Sequence, residues 1–394
     1  SVAENIFLGI GQCKFILNKK NMEETIGRYA EKFGLAVDPA AKVWQLSVGE
    51  QQRVEIMKLL CRDCEIMILD EPSAVLTPQE SKEMFRTLRK MADEGKTVIF
   101  ISHKMSEVME HADRITVLKG GKVEDEMLAK DATVERLTKA VIGLRSLEKT
   151  VRSPIKENSS LLLEIEHLCV HNDKGIDALK DVSFSLRQGE IFAIAGVAGN
   201  GQRELAEALA GLRKVKSGCI RMNGRDITKY NARQRMEMGI SFIPEDRLQM
   251  GLIPGMNMKQ NIILKKFREP EYSRFGFLRN KSIKAVTEKY VETYDIKNGG
   301  IELPVSMMSG GNQQKLLVAR EIQCDPVLII AAYPVRGLDI GASEAIHRIL
   351  MEQRNRGACV LLISEELDEI FEMSDRVAVL CDGKVMGIRN TSET

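Results

Sequence analysis

An α/β fold with parallel-sheet cores, laid down as two related copies along one chain, is what the residue pattern implies. The stretch LSVGEQQRVEIMKLLCRDCEIMILDEPS (46–73) recurs as MSGGNQQKLLVAREIQCDPVLIIAAYPV (308–335). A single separation of 262 residues links Ser47 to Ser309, Asp70 to Ala332, His103 to Glu365 and Asp113 to Asp375. Roughly seventy positions therefore align without a gap, the signature of an internal duplication. Short apolar runs alternate with amphipathic stretches, and the runs end on polar side chains, as parallel strands do at a sheet's carboxyl edge.

In the first copy, SVAENIFLGI matches KQNIIL in the second, with Asn5 opposite Asn261. Residues 161–260 precede that point in the second copy and have no counterpart in the first. Met22 to Phe33 and Ser47 to Cys61 have helical periodicity, and Ser47 with Glu50 forms an S-x-x-E capping box. A helix start presents unpaired N–H groups and a positive dipole end, which suit an anion. Ile66 to Leu69 is expected to be a buried parallel strand that delivers Asp70 and Glu71, two acids that are costly together without a cation nearby. Thr77, Pro78 and Glu80 mark the next helix start, and KTVIFIS (96–102) is a second buried strand that ends on His103. Asp70, Glu71 and His103 should therefore converge; separately, a lone His is more often a satisfied surface or core residue, and adjacent acids can be a solvated strand end.

Val123 to Gly143 is a strand and helix, and Arg145 to Ser160 has the charged, polar composition of a linker. The first copy is thus assigned to 1–144, the linker to 145–160 and the second copy to 161–394. From Leu161 the pattern turns strand-like, through LLLEIEHLCV, DALKDVSFSL and EIFAIAG, and alternation in VSFSL implies a sheet with one exposed face. Glycines at 196, 199 and 201 precede the helical run LAEALAG, a pattern that also fits a tight strand-to-helix turn. Asn257 to Val305 is expected to be helical and charged.

Composition narrows the classes. With 44% hydrophobic and 29% charged residues, the sequence is of ordinary globular type. A net charge of +1 gives no electrostatic reason to expect nucleic acid or an anionic membrane as partner. No apolar run approaches the ~20 residues of a membrane span, and no signal peptide is evident, so any membrane role should come through a partner rather than direct insertion. The eight cysteines suit buried thiols in a reducing compartment, and the Cys61–Cys64 CRDC lacks the second pair a metal site would need.

On these residues the chain resembles the ATP-binding cassette (ABC) family. LSVGEQQ is similar to its signature motif, IMILDEPS to its Walker B, AVLTP to its D-loop and ISHK to its switch histidine, in the family's order. The resemblance implies tandem P-loop NTPase domains, each with a parallel-sheet core, an antiparallel β subdomain and a helical subdomain, the first copy being incomplete. It implies ATP and Mg²⁺ as cofactors, with Asp70 on Mg²⁺ through water, Glu71 orienting or deprotonating the attacking water, and His103 at the γ-phosphate. Catalysis would then be positioning and charge stabilisation at a phosphoryl group.

In the second copy, GVAGNGQRE resembles a Walker A in which Gln202 replaces the lysine and Arg203 the Ser/Thr. Arg203 could supply part of the missing charge, but nothing supplies the hydroxyl. Glu245 of FIPEDR stands at the Q-loop position, MSGGNQQ is an intact signature, and Ala332, Tyr333 and Glu365 replace the acids and histidine. A carboxylate at 365 would repel a γ-phosphate, so this site is expected to bind or to serve structure. The family pairs one cassette's Walker motifs with the other's signature. The resemblance thus implies one competent set, Asp70, Glu71 and His103 with Ser309, Gly310, Gly311 and Asn312. The degenerate set is Gly196 to Arg203, Ala332, Tyr333 and Glu365 with Ser47, Gly49 and Glu50.

Unequal tandem cassettes resemble ATPase subunits of importers for simple sugars, and GVAGNGQ, IPEDR, RGLDIGA and ISEELDEI most resemble the nucleoside branch. Expected partners are transmembrane permease subunits and, indirectly, a solute-binding protein, at the cytoplasmic face of the membrane and without nucleic acid. The first copy carries no GxxxxGK[ST], so the chain is expected to be a fragment of a longer subunit with little ATPase activity alone and an unpaired sheet edge at its Walker B strand. Two other readings are a non-hydrolysing nucleotide-binding scaffold, and a soluble tandem cassette acting on ribosomes or DNA. The latter would carry two complete Walker A motifs and a basic linker.

Overall fold

The computed structural model describes residues 1–8, 19–35, 37–46, 48–62, 64–73, 76, 78–102, 104–119, 121–142, 159–297 and 299–393. Ser47, Thr77, His103 and all of the expected linker except its last two residues lie outside the described residues. The chain divides into two compact units, Ser1–Arg145 and Ser146–Thr394.

In the first unit, α1 (Val2–Phe7) starts with a capping box in which the Ser1 hydroxyl and the Glu4 carboxylate satisfy each other's backbone N–H. It packs with α2 (Lys19–Phe33) and α3 (Val48–Cys61) around Ile6, Ile26, Met57 and Leu60. Strand β1 (Ile66–Asp70) follows, then α4 (Pro78–Asp93) and β2 (Thr97–Ile101). β1 and β2 pair in parallel, with Asp70 opposite Ile101. They form a two-stranded sheet, and the outer edge of β1 has no strand partner among the described residues. Helix α5 (Met105–His111), β3 (Arg114–Lys119), β4 (Lys122–Leu128) and α6 (Val134–Ile142) complete the unit around Ile115, Val117, Met127 and Leu137.

The expectation that β1 and β2 are buried on both faces is corrected. Met67, Leu69, Val98 and Phe100 face the core, while Ile66 and Ile68 are 62% and 66% exposed. Helices cover one face of this sheet, and period-two alternation turns every other side chain outward.

In the second unit, β5 (Leu161–His171) and β6 (Asp177–Arg187) form a long antiparallel pair. Strands β7 (Ile191–Ala195) and β8 (Ser217–Met222) flank α7 (Gln202–Ala210), with β9 (Arg225–Asp226) and α8 (Ala232–Glu237) after them. The antiparallel sheet runs β6-β5-β8-β9. Next come β10 (Ile240–Ile243), α9 (Met258–Ile262), a hairpin of β11 (Ser273–Arg274) and β12 (Phe277–Leu278), and α10 (Asn280–Thr293). The expected all-helical Asn257–Val305 is therefore interrupted; strands of two residues are too short to leave a periodic signal.

Helix α11 (Gly310–Ile322), β13 (Leu328–Ala332), α12 (Ile340–Asn355), β14 (Cys359–Ser364), α13 (Leu367–Met373), β15 (Arg376–Cys381) and β16 (Lys384–Asn390) close the chain. The central sheet runs β10-β13-β14-β7-β15-β16, parallel except for the antiparallel edge strand β16. Its middle strand β7 is buried on both faces: Ile191, Ala193 and Ala195 join the core under α11 and α12, while Phe192 and Ile194 join the core under α7 and the antiparallel sheet. That burial explains a fully apolar run where β5 and β6 alternate.

Candidate functional site

The duplication is visible in local hydrogen bonds. Asp70 and Ala332 each end a strand, and the next residues, Glu71 and Tyr333, have left-handed backbones with φ of +46° and +50°. The Glu71 N–H donates to the Ile101 carbonyl at 2.9 Å, and the Tyr333 N–H to that of Ile363 at 2.8 Å. Both are strained positions for side chains of this size, a cost of about 1–3 kcal/mol that clusters at functional sites. The backbone thus aims the side chain after the strand in the same way in both copies, while the side chains differ.

In the first unit, Asp70 lies beside the strand that leads to His103. Glu107 of α5 ties the two strand ends together: its Oε2 accepts from the Ser73 hydroxyl at 2.6 Å and the Ser102 hydroxyl at 3.1 Å. Ser73 follows Glu71 by two residues and Ser102 precedes His103, so one carboxylate braces both loops. Lys104 adds an ion pair to Glu107 at 3.4 Å. Sequence reasoning missed Glu107 because it reads as one polar residue of a short helix. In the second unit, Glu369 repeats the brace, accepting from Ser364 at 2.5 Å and pairing with His347 at 2.9 Å, but Val335 stands where Ser73 would.

At the glycine loop, a Cβ on Gly196 would lie 2.4 Å from the Leu380 carbonyl oxygen, and one on Gly201 would lie 2.6 Å from that of Ala178. Neither position admits a side chain, and Gly199 also has a positive φ. Gln202, only 1% exposed, turns back into the loop. Its Oε1 accepts from the Asn200 N–H at 3.0 Å and its Nε2 donates to the Val197 carbonyl at 3.0 Å. The loop therefore satisfies with its own side chain one of the N–H groups a phosphate would take. Arg203 pairs with Glu207 at 2.7 Å, a carboxylate it shares with Arg213 at 2.6 Å.

Four of the replaced positions, Arg203, Glu245, Ala332 and Tyr333, line one open cavity of about 650 Å³ together with Arg247 and Arg336. Arg336 pairs with Glu245, lies 3.8 Å from Glu365 and sits 5.5 Å from the centre of the Tyr333 ring. Burial, then Glu245 and Glu365, push the Tyr333 phenol up to about 12, so it stays neutral at physiological pH and cannot serve as a base. This cavity offers no oxygen ligand at Ala332 for a hard cation.

At the signature of the second unit, α11 begins after Ser309, whose hydroxyl accepts from Asn312 Nδ2 at 2.8 Å and does not cap a helix N–H. A Cβ on Gly310 would lie 2.8 Å from Arg247 Nη2, and one on Gly311 2.9 Å from the Ala342 Cβ, so the helix start is approached closely on two sides. Gln313 Nε2 donates to the Met308 carbonyl at 3.1 Å, and Gln51 Nε2 of α3 donates to that of Leu46 at 3.1 Å. Glu50 lies in the first turn of α3. The side chain of Gly49's neighbour Val48 and the whole of Ser47 lie outside the described set.

Comparison with known proteins gives the family. Residues 1–74 and 179–334 match the family described as ABC transporter. The chain is 41% identical over 395 residues to the nucleoside import ATP-binding protein NupA of Lactococcus lactis subsp. cremoris, covering all of this chain and 78% of that protein. It is 40% identical to the guanosine import ATP-binding protein NupO of Bacillus subtilis, covering all of this chain and 77% of that protein. A solved ATP-binding cassette of an ABC transporter superposes with a TM-score of 0.52 at 20% identity, over 60% of this chain and 94% of the other, a likeness of fold. The chain belongs to the ABC transporter family of ATP-binding ATPases and carries two cassettes in tandem.

Proposed function

We propose that this protein is the ATP-hydrolysing subunit that energises an importer for nucleosides or related sugars, working with transmembrane permease subunits and a solute-binding protein at the cytoplasmic face of the membrane. The observation that carries this reading is whole-chain similarity, at 41% and 40% identity, to proteins named for nucleoside and guanosine import. Among the described residues no helix is long and apolar enough to cross a membrane, in keeping with a role beside separate permease subunits.

Hydrolysis is assigned to the first copy. Asp70 offers a carboxylate oxygen of the kind Mg²⁺ takes. Glu71, aimed by its left-handed backbone, orients the attacking water and takes its proton, and His103 contacts the γ-phosphate. Ser309, Gly310, Gly311 and Asn312 supply the signature donors at a helix start, with Arg247 as a nearby cation. The site around Gly196–Arg203, Tyr333 and Glu365, with the first-copy signature residues Ser47, Gly49 and Glu50, does not turn over. Support for its silence comes from the Gln202-filled loop and from Arg336 being held by Glu245 and Glu365.

ATP hydrolysis by the subunit as encoded, assembled with its permease, tests the assignment. Glu71→Gln should abolish turnover and Tyr333→Gln should leave it nearly unchanged; the reverse pattern would sink the assignment. Competition of labelled nucleoside uptake by nucleosides and by ribose distinguishes the solute class.

A further inference from the structure

The hairpin β11–β12 presents apolar side chains that no part of the described chain covers. Phe275 is 87% exposed, Phe277 79% and Leu278 50%, all within four consecutive residues. The turn is Phe275–Gly276, with φ of +52° and +84°, the two-residue geometry that favours Asn-Gly. A phenylalanine in the left-handed region is disfavoured by its bulk, so this turn holds an aromatic ring in water at a conformational cost as well as a solvation cost. Strained, exposed apolar residues of this kind mark an interaction surface.

The hairpin is rooted firmly. Tyr272 is buried beneath it and its hydroxyl accepts from Gln323 Nε2 at 3.2 Å, while the Arg279 N–H closes the base on the Tyr272 carbonyl at 2.8 Å. Around the tip the charge is one-sided. From Phe267 to Lys281 four cations (Arg268, Arg274, Arg279 and Lys281) stand against two carboxylates, Glu269 and Glu271. All of these charged residues are exposed, and neither acid lies within the hairpin itself. The chain's net charge of +1 averages this concentration away. Arg274 stacks on Phe275 with its guanidinium 5.2 Å from the ring centre, which keeps the cation at the level of the aromatic tip.

We propose that this hairpin is a membrane-interface anchor for anionic phospholipid. Phe275, Phe277 and Leu278 enter the boundary between headgroups and acyl chains, and Arg274, Arg279 and Lys281 pair with lipid phosphates around them. The choice of an anionic lipid rests on charge: Arg274, Arg279 and Lys281 flank the apolar tip with no acid inside the hairpin, complementary to a surface of lipid phosphates. Bilayer contact of this kind departs from the expectation that a membrane role comes only through a partner, and it would add to the permease contact rather than replace it.

Co-sedimentation of the full chain with phosphatidylcholine vesicles, with and without phosphatidylglycerol, tests this. Binding should require the anionic lipid, weaken at high salt, fall at least about tenfold in R274E/R279E, and be lost in F275S/F277S, which alters only exposed side chains. F275W in a W44F background should shift its emission to the blue on anionic vesicles. Failure of the wild-type chain to sediment with anionic vesicles, or wild-type binding by F275S/F277S, would overturn the proposal. Vesicle indifference combined with loss of permease co-purification in F275S/F277S would assign the surface to a protein partner instead.

Discussion

Replacing Glu107 with alanine should loosen the two strand ends to which hydrolysis is assigned. The carboxylate accepts from Ser73 at 2.6 Å and Ser102 at 3.1 Å and pairs with Lys104 at 3.4 Å. A hydrogen bond to a charged group contributes about 1.5–3 kcal/mol, and a buried hydroxyl left without a partner costs about 1–3 kcal/mol. The Lys104 pair is half-exposed and adds at most about 1 kcal/mol. Allowing for water entry at this partly buried site, Glu107→Ala should cost the loops at the ends of β1 and β2 about 2–4 kcal/mol. Native-state hydrogen exchange reads this directly, because about 2 kcal/mol corresponds to roughly 30-fold faster exchange where opening is local. Glu107→Gln, which retains an acceptor oxygen, should recover about half of the protection. Exchange at Glu71 and its neighbours within twofold of wild type in Glu107→Ala would refute the bracing role. Since Ser73 and Ser102 adjoin the loops of Glu71 and His103, turnover of the assembled subunit should fall with the protection.

Arg235 is fully buried, and its guanidinium donates to the carbonyls of Ala208, Leu209, Ile227, Thr228 and Tyr230 without any carboxylate. Burial pulls it down to about 10, so it remains cationic at neutral pH, and it sits at the negative end of α7. Arg235→Ala leaves five carbonyls without this donor and should destabilise the second unit by at least about 3 kcal/mol in urea unfolding, with Arg235→Lys recovering only part because an ammonium cannot span the fork. Gly196→Ala should prevent native packing of the glycine loop, since its Cβ would lie 2.4 Å from the Leu380 oxygen; a melting temperature equal to wild type would contradict this. Tyr333 has its folded-state value raised from 10.0 to about 12, so its contribution is present below about pH 10 and is lost as pH rises through about 12. Stability measured across that window should therefore decline more steeply in the wild type than in Tyr333→Phe.

The duplication, the strand-end acids and the tandem α/β architecture could be read from residues because backbone hydrogen bonding and apolar period leave a local record. Asp70 and Glu71 follow a strand-length apolar run, and so do Ala332 and Tyr333. What the run could not reveal is how many faces of each strand are covered: Ile66 and Leu69 look alike in sequence, yet helices shield only the second. Features made by side chains from distant elements were equally silent. Gln202 reads as a lost lysine, but its fold into the loop depends on the loop's own carbonyl geometry. Arg235 sits in the polar stretch NARQRME and gives no hint of burial, and YSRFGFL lies between charged segments that mask a two-residue turn.

The changes in the second copy fit together as one electrostatic solution. With Gln202 folded into the glycine loop and Ala332 at the strand end, the lysine and the strand-end acid of the family pattern are both missing. Glu365 and Glu245 instead share Arg336, and the neutral Tyr333 ring lies against that same guanidinium. Glu245, Glu365 and Tyr333 thus all contact one guanidinium that the first copy lacks, Ala74 standing at the equivalent position. Restoring one position alone would therefore work against the rest: a carboxylate in place of Tyr333 would add a third acid around a single arginine and raise the cost of all three. The left-handed turn at 333 repeats the backbone of Glu71, to which hydrolysis is assigned, but presents a phenol that stays neutral at physiological pH.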